Sequence, residues 1–135
     1  MYERAGGIRD DKESIVKIEP STIRCIEQIL DCVPELRDAY ERHVSDNDTL
    51  LPHVFMGAVA RFVVEQARAN TPESACLVDK VLALLEQAYE QGDDAVQNLI
   101  GVSFVENLAK VGDVADKLRN LMGPVLRHEL GLHTA

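Results

Sequence analysis

From Thr22 onward the apolar positions recur at helical spacing, the pattern of segments that each bury one face. Ile23, Ile26, Ile29 and Leu30 define a first helix, predicted to stop near Val33 because the residue before Pro34 is pushed out of helical geometry. Pro34 suits the first position of a second helix, "PELRDAYERHV", in which Leu36, Tyr40 and Val44 share a face and after which "SDND" forms a turn. A third helix is predicted from Pro52 to about Ala69, with Val54, Phe55, Ala58, Val59, Phe62 and Val63 as a broad core-facing stripe. Thr71 then reads as an N-cap and Pro72 as a first-turn residue of a fourth helix carrying Leu77, Val81, Leu84, Leu85 and Ala88. Gly92 is expected to close that helix in a left-handed conformation.

Asp93 can cap a fifth helix, "DDAVQNLIGVSFVENLAKVG", whose apolar residues point on nearly every heading, as in a helix surrounded by others. Gly112 and Asp113 repeat the stop and cap, and a sixth helix follows through Val114, Leu118 and Leu121, then past Gly123-Pro124 through Leu126 and Leu130. The expectation is an all-α, compact single-domain bundle of about six helices around a largely apolar central fifth helix. Residues 1–20, with mixed charge and the Gly6-Gly7 pair, read as a flexible N-terminal arm, and residues 21–135 as the helical domain.

Composition narrows the function. Twenty-three acidic against 14 basic residues give a net charge of -9, which opposes binding to a phosphate backbone or an anionic lipid surface and favours a basic protein partner. The N-terminus lacks the apolar run of a signal peptide and no stretch reaches the length of a membrane span, so a cytoplasmic protein is expected. The three cysteines agree with a reducing compartment, and Cys25 and Cys32 are expected to be small core residues, ~10 Å apart along one helix and beyond disulfide reach.

The candidate contact residues fall in two groups. His53, Gly57, Arg61 and Glu65 follow one another at four-residue steps on the third helix, forming a slanting face roughly opposite the apolar stripe. Gly57 lowers helix stability by ~1 kcal/mol relative to alanine, a cost accepted where another group must approach closely. Arg61 and Glu65 could pair across a turn. The second group is acidic: no basic residue stands between Lys80 and Lys110, while Glu86, Glu90, Asp93, Asp94 and Glu106 add negative charge. Each group also has a structural reading, His53 as a helix-start residue and the acids as caps and solvated face.

Catalytic and metal chemistry find less support. His43, His53, His128 and His133 have no ligand spacing with one another, so no metal and no cofactor are expected. Ser103 lies inside the most apolar helix without a nucleophile-elbow motif, and it shares a face with Asn107, where the two can bond in the core.

The segments "LLPHVFMGAVARFVVE", "DDAVQNLIGVSFVENL" and "LRNLMGPVLRHEL" resemble a family of small, acidic, helical bacterial proteins over about Val33 to Leu130. That family in turn resembles the immunity proteins of polymorphic toxin systems, cytoplasmic binders that neutralise one toxin domain. Arg61 follows the family pattern, whereas Ala58 stands where an acidic residue is expected, so no polar role is carried over there. The acidic stretch, the lack of a coherent catalytic set and this resemblance together lead to the expectation of a non-enzymatic protein that occludes the active site of a cognate toxin with a basic surface. The two residue groups above, His53, Gly57, Arg61 and Glu65 with Glu86, Glu90, Asp93 and Asp94, are the candidate contacts. Two alternatives stay open: a small-ligand protein or enzyme using the His53, Arg61 and Glu65 face, and a homo-oligomeric adaptor. The oligomeric state is left open.

Overall fold

The computed structural model describes residues 19–134, and every regular element among them is helical. The arm expected over residues 1–20 lies outside the described residues except for its last two, and Pro20 opens α1 instead (Pro20–Cys32). A 3-10 turn at Pro34–Leu36 leads into α2 (Arg37–Asn47), followed by α3 (Pro52–Ala69) and α4 (Pro72–Gln91). The fifth helix, α5, covers residues 94–109 and is not uniform: α-helix at Asp94–Asn98, π-helix at Leu99–Val105, α-helix again at Glu106–Ala109.

The expected sixth helix is two, α6 (Gly112–Arg119) and α7 (Pro124–Thr134), which makes seven helices among the described residues. Gly123-Pro124 breaks the run because α7 starts on a cap supplied from elsewhere. Both carboxylate oxygens of Glu86 in α4 accept from its first turn, Oε2 from Val125 N–H at 2.7 Å and Oε1 from Leu126 N–H at 2.9 Å. A Cβ on Gly123 would stand 2.5 Å from the Glu86 carboxyl carbon, so only glycine leaves room for this arrangement.

The core closes around α5, which packs against α1, α3, α4, α6 and α7. Leu99, Ile100, Phe104, Val105 and Leu108 are fully enclosed, together with Phe55, Leu85, Leu118 and Leu126 from the surrounding helices. Helix ends follow the sequence signals in part. Thr71 Oγ1 accepts from Ser74 N–H and Asp93 Oδ1 from Val96 N–H, both at 3.0 Å. Gly92, by contrast, is extended (φ -83°) and not left-handed; the left-handed caps are Asp48 and Asn70. Glycine is needed at 92 for space, since a Cβ would come within 2.6 Å of Ala88 O and Val96 Cγ1.

The buried face of α3 is turned one residue from the expected stripe. Phe55, Val59 and Val63 are buried as expected, but Met56, Gly57, Ala60, Val64 and Ala67 complete the face, Ala58 and Phe62 are only partly covered, and Val54 is 54% exposed. The cause is that α3 is gripped by both α4 and α5, and small residues at 57 and 60 on the α5 side let the helices approach.

Candidate functional site

The turn of α3 brings its polar series against the central helix instead of away from it. His53 Nδ1 and Ser103 Oγ share a hydrogen bond of 2.5 Å, tying the first turn of α3 to the π-helical part of α5. The Ser103 hydroxyl therefore goes to His53, while Asn107 serves its carbonyl: Asn107 Nδ2 donates to Ser103 O at 2.6 Å. That contact has a local reason. In the widened turn the backbone bonds run five residues back, as from Glu106 N–H to Gly101 O, and the Asn107 side chain supplies the Ser103 carbonyl with a donor.

One turn further along α3, Gly57 is buried, and the place its side chain would occupy is flanked by two donors. A Cβ there would lie 3.6 Å from Asn107 Nδ2 and 3.9 Å from Arg61 Nη1. Arg61 reaches back over Gly57 because helical side chains lean toward the N-terminus. The same lean takes it away from Glu65, and no ion pair joins the two among the described residues; the order Arg then Glu is also the weaker one on a helix.

Beyond Gly57 the groove between α3 and the end of α5 opens into a cleft of about 410 Å³. Gly57, Ala60, Val64 and Val111 form an apolar floor, and Arg61, Glu65, Arg68, Asn107 and Lys110 stand around it. Three cations face one carboxylate here, in a chain of net charge -9. Arg68 has only a long, exposed contact of 3.9 Å to Asp113. Arg61, Glu65 and Lys110 have no hydrogen bond or ion pair among the described residues. His53 is exposed and does not line the cleft, so the four-residue series divides into a latch at His53 and a cleft wall from Gly57 onward.

The acidic group also divides. Glu86 is spent inside the protein on the N-terminus of α7. Asp93 is fixed at the α4–α5 corner, where the Val96 N–H and the Ser21 hydroxyl (3.1 Å) hold its carboxyl below the usual range, with help from Arg24. Glu90 and Asp94 beside it are exposed and without an internal partner among the described residues. A second, polar concavity of about 320 Å³ lies at this corner, lined by Ser21, Arg24, Gln28, Gln91 and Asp93 among others. Glu106, the remaining acid of the run, is half-buried at the far end of α5.

Several residues of consequence were not singled out by the pattern. The buried histidine is His43, 8% exposed, whose Nε2 accepts from Leu51 N–H at 2.9 Å and shapes the entry to α3. Glu129 accepts from Tyr89 Oη–H at 2.9 Å, lies 3.2 Å from His133 Nε2, and rests where a Cβ on Gly101 would come within 3.0 Å of it. Burial and the Glu129 carboxylate raise the Tyr89 pKa. The i,i+4 spacing of Glu129 and His133 was the available signal. Cys25 is buried, which pushes its thiol up to about 11, but Cys32 is exposed and not a core residue.

Residues 26–131 match the family described as Domain of unknown function (DUF7674). The chain belongs to this family. No curated protein and no solved structure matches the chain. The family match runs from α1 into α7 and takes in the whole cleft, together with Glu90, Asp93 and Asp94.

Proposed function

We propose that this chain is a non-enzymatic binding protein and, within that class, a cytoplasmic immunity protein that neutralises a cognate bacterial toxin domain by covering its active site. The observation that carries this reading is the exposed acidic corner, in which Asp93 and Asp94 serve the start of α5 but Glu90, in the last turn of α4, opposes the helix dipole and does no work for the fold. Glu90 and Asp94 have no hydrogen bond or ion pair among the described residues, and Asp93 between them is held ionised by its cap. Self-repulsion makes such a corner a cost to an isolated protein of net charge -9. It is returned where a basic partner docks, because complementary charge speeds encounter and selects against wrong partners, while a few buried anchors supply affinity. The resemblance over Val33 to Leu130 points the same way, and no helix among the described residues is long and apolar enough to cross a membrane.

The test is co-purification with the product of the adjacent gene, followed by an assay of that product's toxicity with and without this chain. Inhibition at micromolar concentration is expected. Replacing Glu90 by lysine should slow association about threefold at low salt without lowering the melting temperature, the difference fading toward ~1 M salt. Absence of both binding and inhibition at micromolar concentration overturns the reading.

A further inference from the structure

The cleft between α3 and the end of α5 carries an inference separate from the toxin reading, because its charge is opposite to that of the acidic corner and its volume suits a small ligand. Its volume of about 410 Å³ extends from Gly57 to Arg68. At 1.5 Å rise per residue that is a length of roughly 16 Å. The cleft is an open groove running along α3, in which an extended ligand can lie. The volume falls within the range of small-molecule sites.

The polar groups are unevenly placed along this groove. At the Gly57 end, Arg61 Nη1 and Asn107 Nδ2 converge on the space left by the missing side chain. Asn107 uses one amide hydrogen on Ser103 O and has a second to give. Arg61 has no partner among the described residues, so none of its five donors is committed. Two converging N–H donors, one of them cationic, are the environment of a carboxylate. From there the floor of Ala60, Val64 and Val111 is apolar, with Ala60 and Val64 themselves buried. Glu65 stands one turn beyond Arg61, beside the apolar stretch, and disfavours a second negative charge there.

We propose that this cleft binds a linear aliphatic monocarboxylic acid, its carboxylate seated above Gly57 between Arg61 and Asn107 and its stem lying on Ala60, Val64 and Val111. The stretch from Gly57 to Val64 is roughly 10 Å at the helical rise, the length of an acid of about eight carbons. The net charge of three cations against one carboxylate around the rim matches the ligand's sign.

The test uses the full chain and three probes, octanoate, octanamide and acetate, followed by amide chemical shifts in a titration to about ten millimolar. Octanoate is expected to shift Gly57, Ala60, Val64, Asn107 and Val111 saturably, with octanamide and acetate each at least about tenfold weaker. Arg61→Gln removes an exposed, unpartnered charge and should leave folding intact while weakening octanoate about tenfold or more. Gly57→Ala fills the seat with a methyl group and should also weaken it, in a protein that melts no lower than the parent. No saturable shift, shifts centred elsewhere, equal binding of octanoate and octanamide, or undiminished binding by Arg61→Gln would each overturn the proposal. Failure here leaves inhibition of a toxin untouched, and failure of the toxin assay leaves this titration untouched.

Discussion

A buried glycine facing a neighbouring helix ordinarily resists any side chain, yet Gly57→Ala is expected to stabilise this protein. The added Cβ would meet Asn107 Nδ2 at 3.6 Å and Arg61 Nη1 at 3.9 Å, ordinary contact distances that require no movement. Alanine in a helix interior is favoured over glycine by about 1 kcal/mol, and the new contacts add a few tenths. Against this stands the partial drying of Arg61, whose exposed side chain can swing aside. The net is a gain of about 1 kcal/mol, or roughly 3–5 °C in melting temperature for a chain of this size. Two controls have the opposite sign. At Gly101 the Cβ would come within 3.0 Å of Glu129 Oε2 and unsettle its bond to Tyr89. At Gly123 it would stand 2.5 Å from the Glu86 carboxyl carbon and expel that side chain from Val125 and Leu126, a loss of ~2–3 kcal/mol. Thermal and urea unfolding of the three variants should rank them 57 above parent, 101 below it and 123 lowest. A Gly57→Ala protein that melts below the parent would refute the account of the α3–α5 contact.

Two further outcomes follow from the shifted ionisations. A thiol reagent at pH 8 should modify Cys32 and Cys76 quickly in the native protein and Cys25 only on unfolding, since burial pushes Cys25 up to about 11 and keeps it both protonated and covered. Rapid native labelling of all three would contradict this. Because the folded-state pKa of Asp93 is lowered from 3.8, its contribution is present above that value and lost as pH falls through the lower one. The stability difference between the parent and Asp93→Ala, measured by urea unfolding, should therefore be full near neutrality and shrink below pH ~4.

The helical architecture was legible because it is written in local signals: prolines at first turns, Thr71 and Asp93 as caps, and the apolar encirclement of the fifth helix. What escaped the pattern is tertiary. The rotation of α3 by one residue depends on which two helices grip it, and that moved Gly57 from an outer face to the wall of a cleft. The role of Glu86 depends on a helix start 39 residues away in sequence, so spacing along α4 showed it only as one more surface acid. The π-helical turn has no periodic signature, and with it came the division of labour in which Ser103 bonds His53 while Asn107 covers the Ser103 carbonyl.

The charge distribution along α5 separates residues that the fold accounts for from one that it does not. Asp93 and Asp94 sit at the positive end of its dipole and Lys110 at the negative end, each placed where a helix terminus is stabilised by that sign. Their presence would follow from stability alone. Arg61 has no such explanation: it lies in the middle of α3, far from either terminus, and has no partner among the described residues. It is nevertheless folded back over a buried glycine whose own cost to the helix is about 1 kcal/mol. A fold optimised only for stability would place alanine at 57 and leave the side chain at 61 free to reach solvent. Glycine beneath an unpaired guanidinium is the combination expected where both are kept for something that binds between them, which makes Arg61→Gln the variant that separates a functional cleft from an incidental one.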